Sequence, residues 1–334
     1  MSVESKFINN PKIVVIGGGT GISNIIRGLK KFTNDIVTVV TVADDGGGSG
    51  VLRNDLGILP PGDIRNCLIA LANTEPIMEE LLMYRFTEGN LKNQNFGNLL
   101  IAAMIGITSN FEEAIKKISK VLAITGRVLP VTLENLTLKA ELLNGTIVEG
   151  ESKIPKEVIK HKTGIKKISI VPKDAEPLKD CIEEILQAHA VVLGPGSLYT
   201  SILPNLKVNK ICEAVNNSKG FKIYISNIMT QPGETDEYSL YDHVESIYNN
   251  TNIEKIDYII SNNGELSNNI LEKYNHDNSK YVSCDEYKLL NKYHSIVIKE
   301  NLVKIKNNFI RHDEDKLSKI IIDVINSKKI GDLQ

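Results

Sequence analysis

The chain of 334 residues is short of several things that would have placed it quickly. Its four cysteines, Cys67, Cys181, Cys212 and Cys284, are scattered with no Cys-x-x-Cys pair, which argues against a zinc ribbon or a disulfide framework and fits a reducing compartment. A cytoplasmic protein is expected. Charge of neither sign is in excess: 39 Lys and Arg face 41 Asp and Glu, for a net charge of −2. Nothing basic is left over to draw nucleic acid or an anionic membrane surface, so neither is expected as a partner. No run approaches the ~18 apolar residues of a membrane span, and the stretch from Met1 to Asn10 is polar, without the apolar core of a signal. None of the six histidines has a partner at i+4 or a cysteine pair nearby. His243 and His312 therefore read as surface or core residues and not as metal ligands.

What the chain does have is apolar strands between helical patterns. Ile13 to Ile16, Ile36 to Val42, Ala190 to Leu193, Lys222 to Ser226 and Ile256 to Ser261 are runs rich in Val and Ile. Runs of this kind are buried on both faces, as in a parallel sheet covered by helices. The fold class is thus α/β, and a Rossmann-like three-layer αβα sandwich with a mainly parallel sheet is expected. Ile64, Cys67, Leu68 and Leu71 follow Pro60-Pro61-Gly62 at helical spacing, and Ser109-x-x-Glu112 reads as a capping box before Ile115, Ile118 and Leu122. From Val128 the period switches to two, with Leu136, Leu138, Ala140 and Leu142 alternating before Asn144-Gly145. We read residues 128–160 as a β-hairpin insertion within a single domain covering 1–334.

The strand Ile13 to Ile16 runs straight into Gly17-Gly18-Gly19-Thr20-Gly21 and then a helix. Glycine lets backbone approach an anion closely, and the first unpaired N–H groups of a helix, with its positive dipole end, attract one. The sequence is not a Walker A loop, because no Gly-Lys-Ser/Thr follows. It also misses the dinucleotide fingerprint, which needs glycine where Ile22 stands. A nucleotide phosphate is the expected ligand; a tight turn without a ligand is the alternative.

Strand two ends in Ala43-Asp44-Asp45 and meets a second glycine run beginning Gly46-Gly47. Because ligands of doubly wound sheets sit at the carboxyl ends of strands, this acidic pair is expected to face the same crevice. Asp44 and Asp45 could hold a ribose, share a Mg²⁺ with Asp45 as its ligand, or cap a turn. Asp63 is placed to cap the next helix, which puts Arg65 and Asn66 in its first turn. A cation there conflicts with the helix dipole, so either a ligand phosphate or a carboxylate such as Asp63 or Asp55 should compensate Arg65. Phe96-Gly97-Asn98 opens a further apolar helix, with Asn98 read as its cap and contact with a ligand as the alternative. In the second half, Ala190 to Leu193 leads into Gly194-Pro195-Gly196-Ser197 with Thr200 and Ser201 beyond, repeating the strand-loop-helix arrangement. Two such loops suit a ligand with more than one phosphate. A later strand delivers Asn227 and a polar, prolyl-stiffened loop from Met229 to Asp236.

Several of these segments also agree in order with one family. Val42-Ala-Asp-Asp-Gly-Gly47, Leu59-Pro-Pro-Gly-Asp-Ile-Arg-Asn-Cys67, Leu193-Gly-Pro-Gly-Ser-Leu-Tyr-Thr-Ser201 and Met229-Thr-Gln-Pro-Gly-Glu-Thr-Asp236 closely resemble the YvcK branch, or gluconeogenesis factors, of the CofD-like family. The resemblance runs from about Lys12 to the final helix and is weakest over residues 262–310. It implies a Rossmann-like fold and a cytoplasmic regulator that binds a UDP-sugar such as UDP-N-acetylglucosamine. It also implies a role in cell shape and wall synthesis on gluconeogenic carbon sources, with a homo-oligomer and cell-wall synthesis proteins as further partners. No tightly bound cofactor is expected. The alternative is the reaction of the family's namesake, a Mg²⁺-dependent 2-phospho-L-lactate transfer from a nucleotide-diphosphate donor, with Asp44 and Asp45 in the catalytic position. The resemblance places phosphate at Gly17 through Gly21 and at Gly194 through Ser197. It gives Arg311 and Tyr274 a part in nucleotide-sugar binding. Gly48 departs from the pattern, where similar sequences carry serine.

Overall fold

A computed structural model describes residues 8–306 and 308–331, so the polar first residues Met1 to Phe7 lie outside it. In chain order its strands are β1 (Ile13–Gly17), β2 (Ile36–Val40), β3 (Arg127–Pro130), β4 (Thr137–Leu142), β5 (Ile147–Glu149), β6 (Ile165–Val171), β7 (Ala190–Leu193), β8 (Phe221–Ile225), β9 (Tyr258–Asn262), β10 (Ile296–Glu300), β11 (Val303–Lys306) and β12 (Phe309–His312). The first six helices are α1 (Gly19–Leu29), α2 (Gly47–Leu56), α3 (Gly62–Leu71), α4 (Pro76–Met83), α5 (Phe96–Thr108) and α6 (Phe111–Val121).

Seven strands form one sheet in the order β10-β9-β8-β7-β1-β2-β3, and every ladder within it is parallel. The residues of β1 are all buried, and they alternate between two cores. Ile13 and Val15 face α1, α3 and the C-terminal helix Glu314–Gly331, through Ile22, Ile26, Leu68 and Leu317. Val14 and Ile16 face the opposite layer, with Ile185, Leu203, Ile211 and Val244. This is the αβα sandwich expected from the Val- and Ile-rich runs, because a strand apolar at every position has no face it can leave to water.

The strand order reverses at β1, whose neighbours are β2 on one side and β7 on the other. The carboxyl ends of β1 and β7 thus open the crevice at which doubly wound sheets bind ligands. The β excursion differs from its expected bounds. β3 belongs to the edge of the main sheet, and the small antiparallel sheet is β5-β4-β6, so it begins after Pro130 and extends past residue 160 to Val171. Leu136, Leu138, Ala140 and Leu142 form one buried apolar face, and three strands sharing such a face are stable where a lone hairpin is marginal.

Three helix starts also shift. Ser109 has φ +54° and ends α5, and Asn110 caps α6 by accepting the Glu113 N–H at 3.0 Å. Asn95, not Asn98, caps α5, accepting the Asn98 N–H at 3.1 Å. The third case is Asp63, which lies in the first turn of α3 behind the N-cap position, Pro61.

Candidate functional site

α1 starts at the mouth of the crevice with no side-chain cap and no acid in its first turn. Gly19 sits at φ +66°, a backbone conformation that costs any side-chain-bearing residue energy. The two glycine loops touch each other: a Cβ on Gly21 would run into the Pro195 carbonyl. Asn205, fully buried, braces them by donating its amide to the Gly17 carbonyl at 3.0 Å and to the Ser201 carbonyl at 2.7 Å. Sequence reasoning passed over Asn205, because nothing in one sequence marks a helical Asn as a brace.

The resulting crevice has a volume of about 410 Å³, within the range of small-molecule sites. Gly18, Gly19, Thr20 and Gly21 line one wall, and Gly196 and Ser197 another. Asn227, the loop from Ile228 to Pro232, Tyr274, Arg311 and His312 complete its lining. The structure thereby gathers residues that lie almost three hundred positions apart in the chain. Tyr274 accepts the Ile310 N–H on its hydroxyl at 2.8 Å, which fixes β12 beside the helix Asn268–His276. The exposed Arg311 packs its guanidinium 5.3 Å from the Phe309 ring and donates to the Ile310 carbonyl. His312 is held by the Ser226 carbonyl at 3.0 Å, and burial pushes its imidazole down to about 4, so it is neutral near pH 7. His243, fully buried, packs edge-on to Tyr238.

A carboxylate of the protein itself stands at each helix start and takes some of its N–H groups. Asp63 accepts the backbone N–H of Gly19, and a Cβ on Gly18 would stand 2.5 Å from its Oδ2. Burial, and then the charge of Asp44, raise Asp63 to about 6. Glu234 does the same at the second loop. It accepts the Thr200 hydroxyl at 3.0 Å and the N–H groups of Tyr199 and Thr200, and burial raises it to about 7. Its Oε2 is buried without a partner among the described residues. Glu151, from the β excursion, is raised to about 8 by burial and by the charges of Asp44 and Glu234. Each of the first two acids follows a Pro-Gly pair, Pro61-Gly62-Asp63 and Pro232-Gly233-Glu234. That recurrence was the signal available in the sequence.

Other expected site residues do not line this crevice, although the charge of Asp44 reaches Asp63 and Glu151. Asp44 turns its Oδ1 back onto the Gly46 N–H at 2.9 Å, and Asp45 accepts the Ser152 N–H at 2.8 Å, pinning the short helix Glu151–Lys153. Both acids serve turns and caps. Gly46 and Gly47 start α2 away from the crevice lining, and Gly17 and Gly194 lie behind their loops. Thr200 spends its hydroxyl on Glu234. Arg65 does not line the crevice: it donates to Asn98 at 2.8 Å and to Asn66 at 2.7 Å, with Nε buried and unpaired among the described residues. The negative charges of Asp63 and Asp44 act on the cation through space, as the expected carboxylate compensation requires. Gly48 is tight, because a Cβ would meet Gln94 Oε1 at 3.3 Å. Serine at this position would require that amide to move.

Fold and crevice together define an α/β protein of the Rossmann-like class with a paired glycine-loop site at its switch point. The profile of the family described as 2-phospho-L-lactate transferase CofD matches residues 13–303. A Thermoanaerobacterium thermosulfurigenes relative is 54% identical over 319 residues, 96% of this chain and 98% of its own. The gluconeogenesis factor of Bacillus subtilis is 44% identical over 318 residues, 94% of this chain and 98% of the relative. A crystal structure of a UPF0052 family member from Bacillus halodurans superposes with a TM-score of 0.90 at 43% identity, covering 93% of this chain and 99% of that one. The chain belongs to the CofD family and, within it, to the gluconeogenesis factors. Among the described residues no helix is long and apolar enough to cross a membrane.

Proposed function

We propose that the crevice binds a nucleoside-diphosphate sugar of the UDP type and that the protein acts as a ligand-responsive regulator in the cytoplasm. In this reading it supports cell shape and wall synthesis during growth on gluconeogenic carbon. The observation that carries the reading is the meeting of Gly18 to Gly21, Gly196-Ser197, Asn227 and Arg311 around one space of about 410 Å³. Glycine backbone offers N–H groups to a diphosphate, and Arg311 supplies a forked donor for phosphate or a base edge. Asn227 and Tyr274 add the polar contacts that select a uracil or a sugar. The relatives' name, gluconeogenesis factor, supports the growth role.

Magnesium enters as an expectation of the family. Among the described residues no three His, Cys, Asp or Glu side chains are arranged to hold a metal, and Asp45 is committed to Ser152. Mg²⁺ commonly binds through one or two carboxylates plus substrate phosphates. Asp63, with Asp44 behind it, would hold such an ion beside a bound diphosphate, where the ion would neutralise charge.

A group-transfer enzyme is the second reading. The observation favouring it is the set of buried acids Asp63, Glu151 and Glu234, all raised toward neutral pH, as acid-base groups in active sites are. One experiment separates the two: calorimetric titration with UDP-N-acetylglucosamine, with and without Mg²⁺, followed by mass spectrometry of the recovered ligand. Saturable binding with intact ligand supports the regulator. Cleaved or transferred ligand supports the enzyme, and no binding by any uridine or guanosine diphosphate sugar overturns both.

A further inference from the structure

A second cavity, of about 480 Å³, lies at the other end of the main sheet and is also of small-molecule size. Its walls come from within residues 206–217, which lead into β8, and from residues 250–254, which lead into β9. It therefore opens beside the amino ends of the strands, whereas the crevice opens at their carboxyl ends. Lys173, Lys207 and Lys210 line it. Lys210 is matched by Glu176 at 2.9 Å. Lys207 is half-buried, and among the described residues it forms no ion pair; burial, and then the charge of Lys167, lower its pKa from the ordinary 10.5. Its ammonium has three N–H donors and spends one on the Asn250 carbonyl. A cation drawn out of water is ordinarily set against a carboxylate, yet the two acids that share this lining, Glu213 and Glu254, are both exposed. Donors are left over on the cavity wall.

We propose that this cavity is an effector site for a small anion carrying phosphate or carboxylate groups, held by Lys207 and Lys173. The walls are fixed beforehand by bonds of their own. Asn216 donates to the Asn252 carbonyl at 2.8 Å and accepts the Glu254 N–H at 3.1 Å, while the buried Asn250 accepts the Ile168 N–H and donates to the Ser246 carbonyl, both at 3.0 Å. The ligand thus meets a formed space whose uncommitted charge is positive. One short helix ties the site to the crevice: Lys207 ends Leu203–Lys207, and Asn205 of the same helix holds the Gly17 and Ser201 carbonyls at 3.0 and 2.7 Å. An anion drawing on Lys207 loads the element that braces both glycine loops. Whatever it does to those loops, a ligand on the loops does in return to the anion's affinity.

The test is calorimetric titration of the full chain with inorganic phosphate and, separately, with citrate, joined to hydrogen exchange with and without each anion. At least one of the two should saturate the protein below ~1 mM and slow exchange in residues 209–217 and 250–254, and with them in residues 17–21. Lys207→Gln and Lys173→Gln should each weaken that binding at least about tenfold and remove the slowing at both places. Glutamine at 207 keeps a donor for the Asn250 carbonyl, and Lys173 is exposed, so a loosened fold in the first variant leaves the second to decide. Arg311→Ala, on the crevice, should keep the anion binding. No nucleotide enters the measurement, so its outcome stands apart from the identity of the crevice ligand. Failure of both anions to bind, binding that both lysine variants keep, or binding that leaves exchange in residues 17–21 unchanged overturns the proposal.

Discussion

Replacing Asp63 with asparagine probes the most unusual feature of the crevice, a carboxylate standing at the helix start of a glycine loop. Asp63 is raised from its ordinary 3.8 to about 6. A carboxyl raised in the folded state binds its proton more tightly there than in the unfolded chain. Its contribution to stability is therefore intact below pH 3.8 and is lost as pH rises toward 6, after which it stays constant. At 1.36 kcal/mol per pKa unit, the ionised group costs about 3 kcal/mol above pH 6. The asparagine side chain would still accept the Gly19 N–H, and because the raised value already contains that bond's effect on the charged form, the neutral amide gains about 3 kcal/mol over the carboxylate. With ~2.1 cal/mol/K of unfolding entropy per residue, that is about 4 °C in Tm for a chain of this length. Calorimetry should thus show Asp63→Asn melting about 4 °C higher than wild type at pH 8, with the advantage gone by pH 4. An anionic ligand adds a second negative charge beside Asp63, so wild type should bind it more tightly at pH 6 than at pH 8, and the variant should keep only the part of that dependence owed to Glu234 and Glu151. A variant less stable than wild type at pH 8, or an offset independent of pH, refutes the reasoning.

Four further outcomes follow from the same geometry. Gly19→Ala would approach only Ser201 Oγ, at 3.9 Å, but must adopt φ +66°, costing ~1–2 kcal/mol and displacing the loop, so nucleotide affinity should fall at least tenfold by calorimetry while the fold survives. Arg311→Ala removes an exposed side chain and should weaken binding by about 1.5–3 kcal/mol in the same titration, with little change in Tm. Arg65→Ala should do the reverse, lowering Tm through the lost Asn98 and Asn66 bonds and leaving affinity unchanged. Asp45→Asn should loosen the Glu151–Lys153 turn, read as faster hydrogen exchange at Ser152, without abolishing ligand binding.

The α/β class was legible in the sequence alone, because strands apolar at every position admit no half-exposed sheet. Both glycine loops were marked there too, since a strand running into Gly-rich turns before a helix has few other uses. The loop from Met229 and the interest of Arg311 could be read from composition and from family motifs. Which of these segments meet is a matter of tertiary packing. Tyr274 and Arg311 reach the crevice only because β12 and its neighbouring helix fold back over the end of β8 through Tyr274–Ile310 and His312–Ser226 bonds. Spacing along the chain carries no trace of such contacts. The roles of adjacent polar residues were equally hidden. Asp44, Asp45 and Asp63 look alike in sequence, yet backbone direction sends two to turns and one to the first glycine loop. Burial then sets their charge, and burial is a property of the packed whole: the pressure on Glu151 and Glu234 arises where the β excursion, β2 and the 229–236 loop converge.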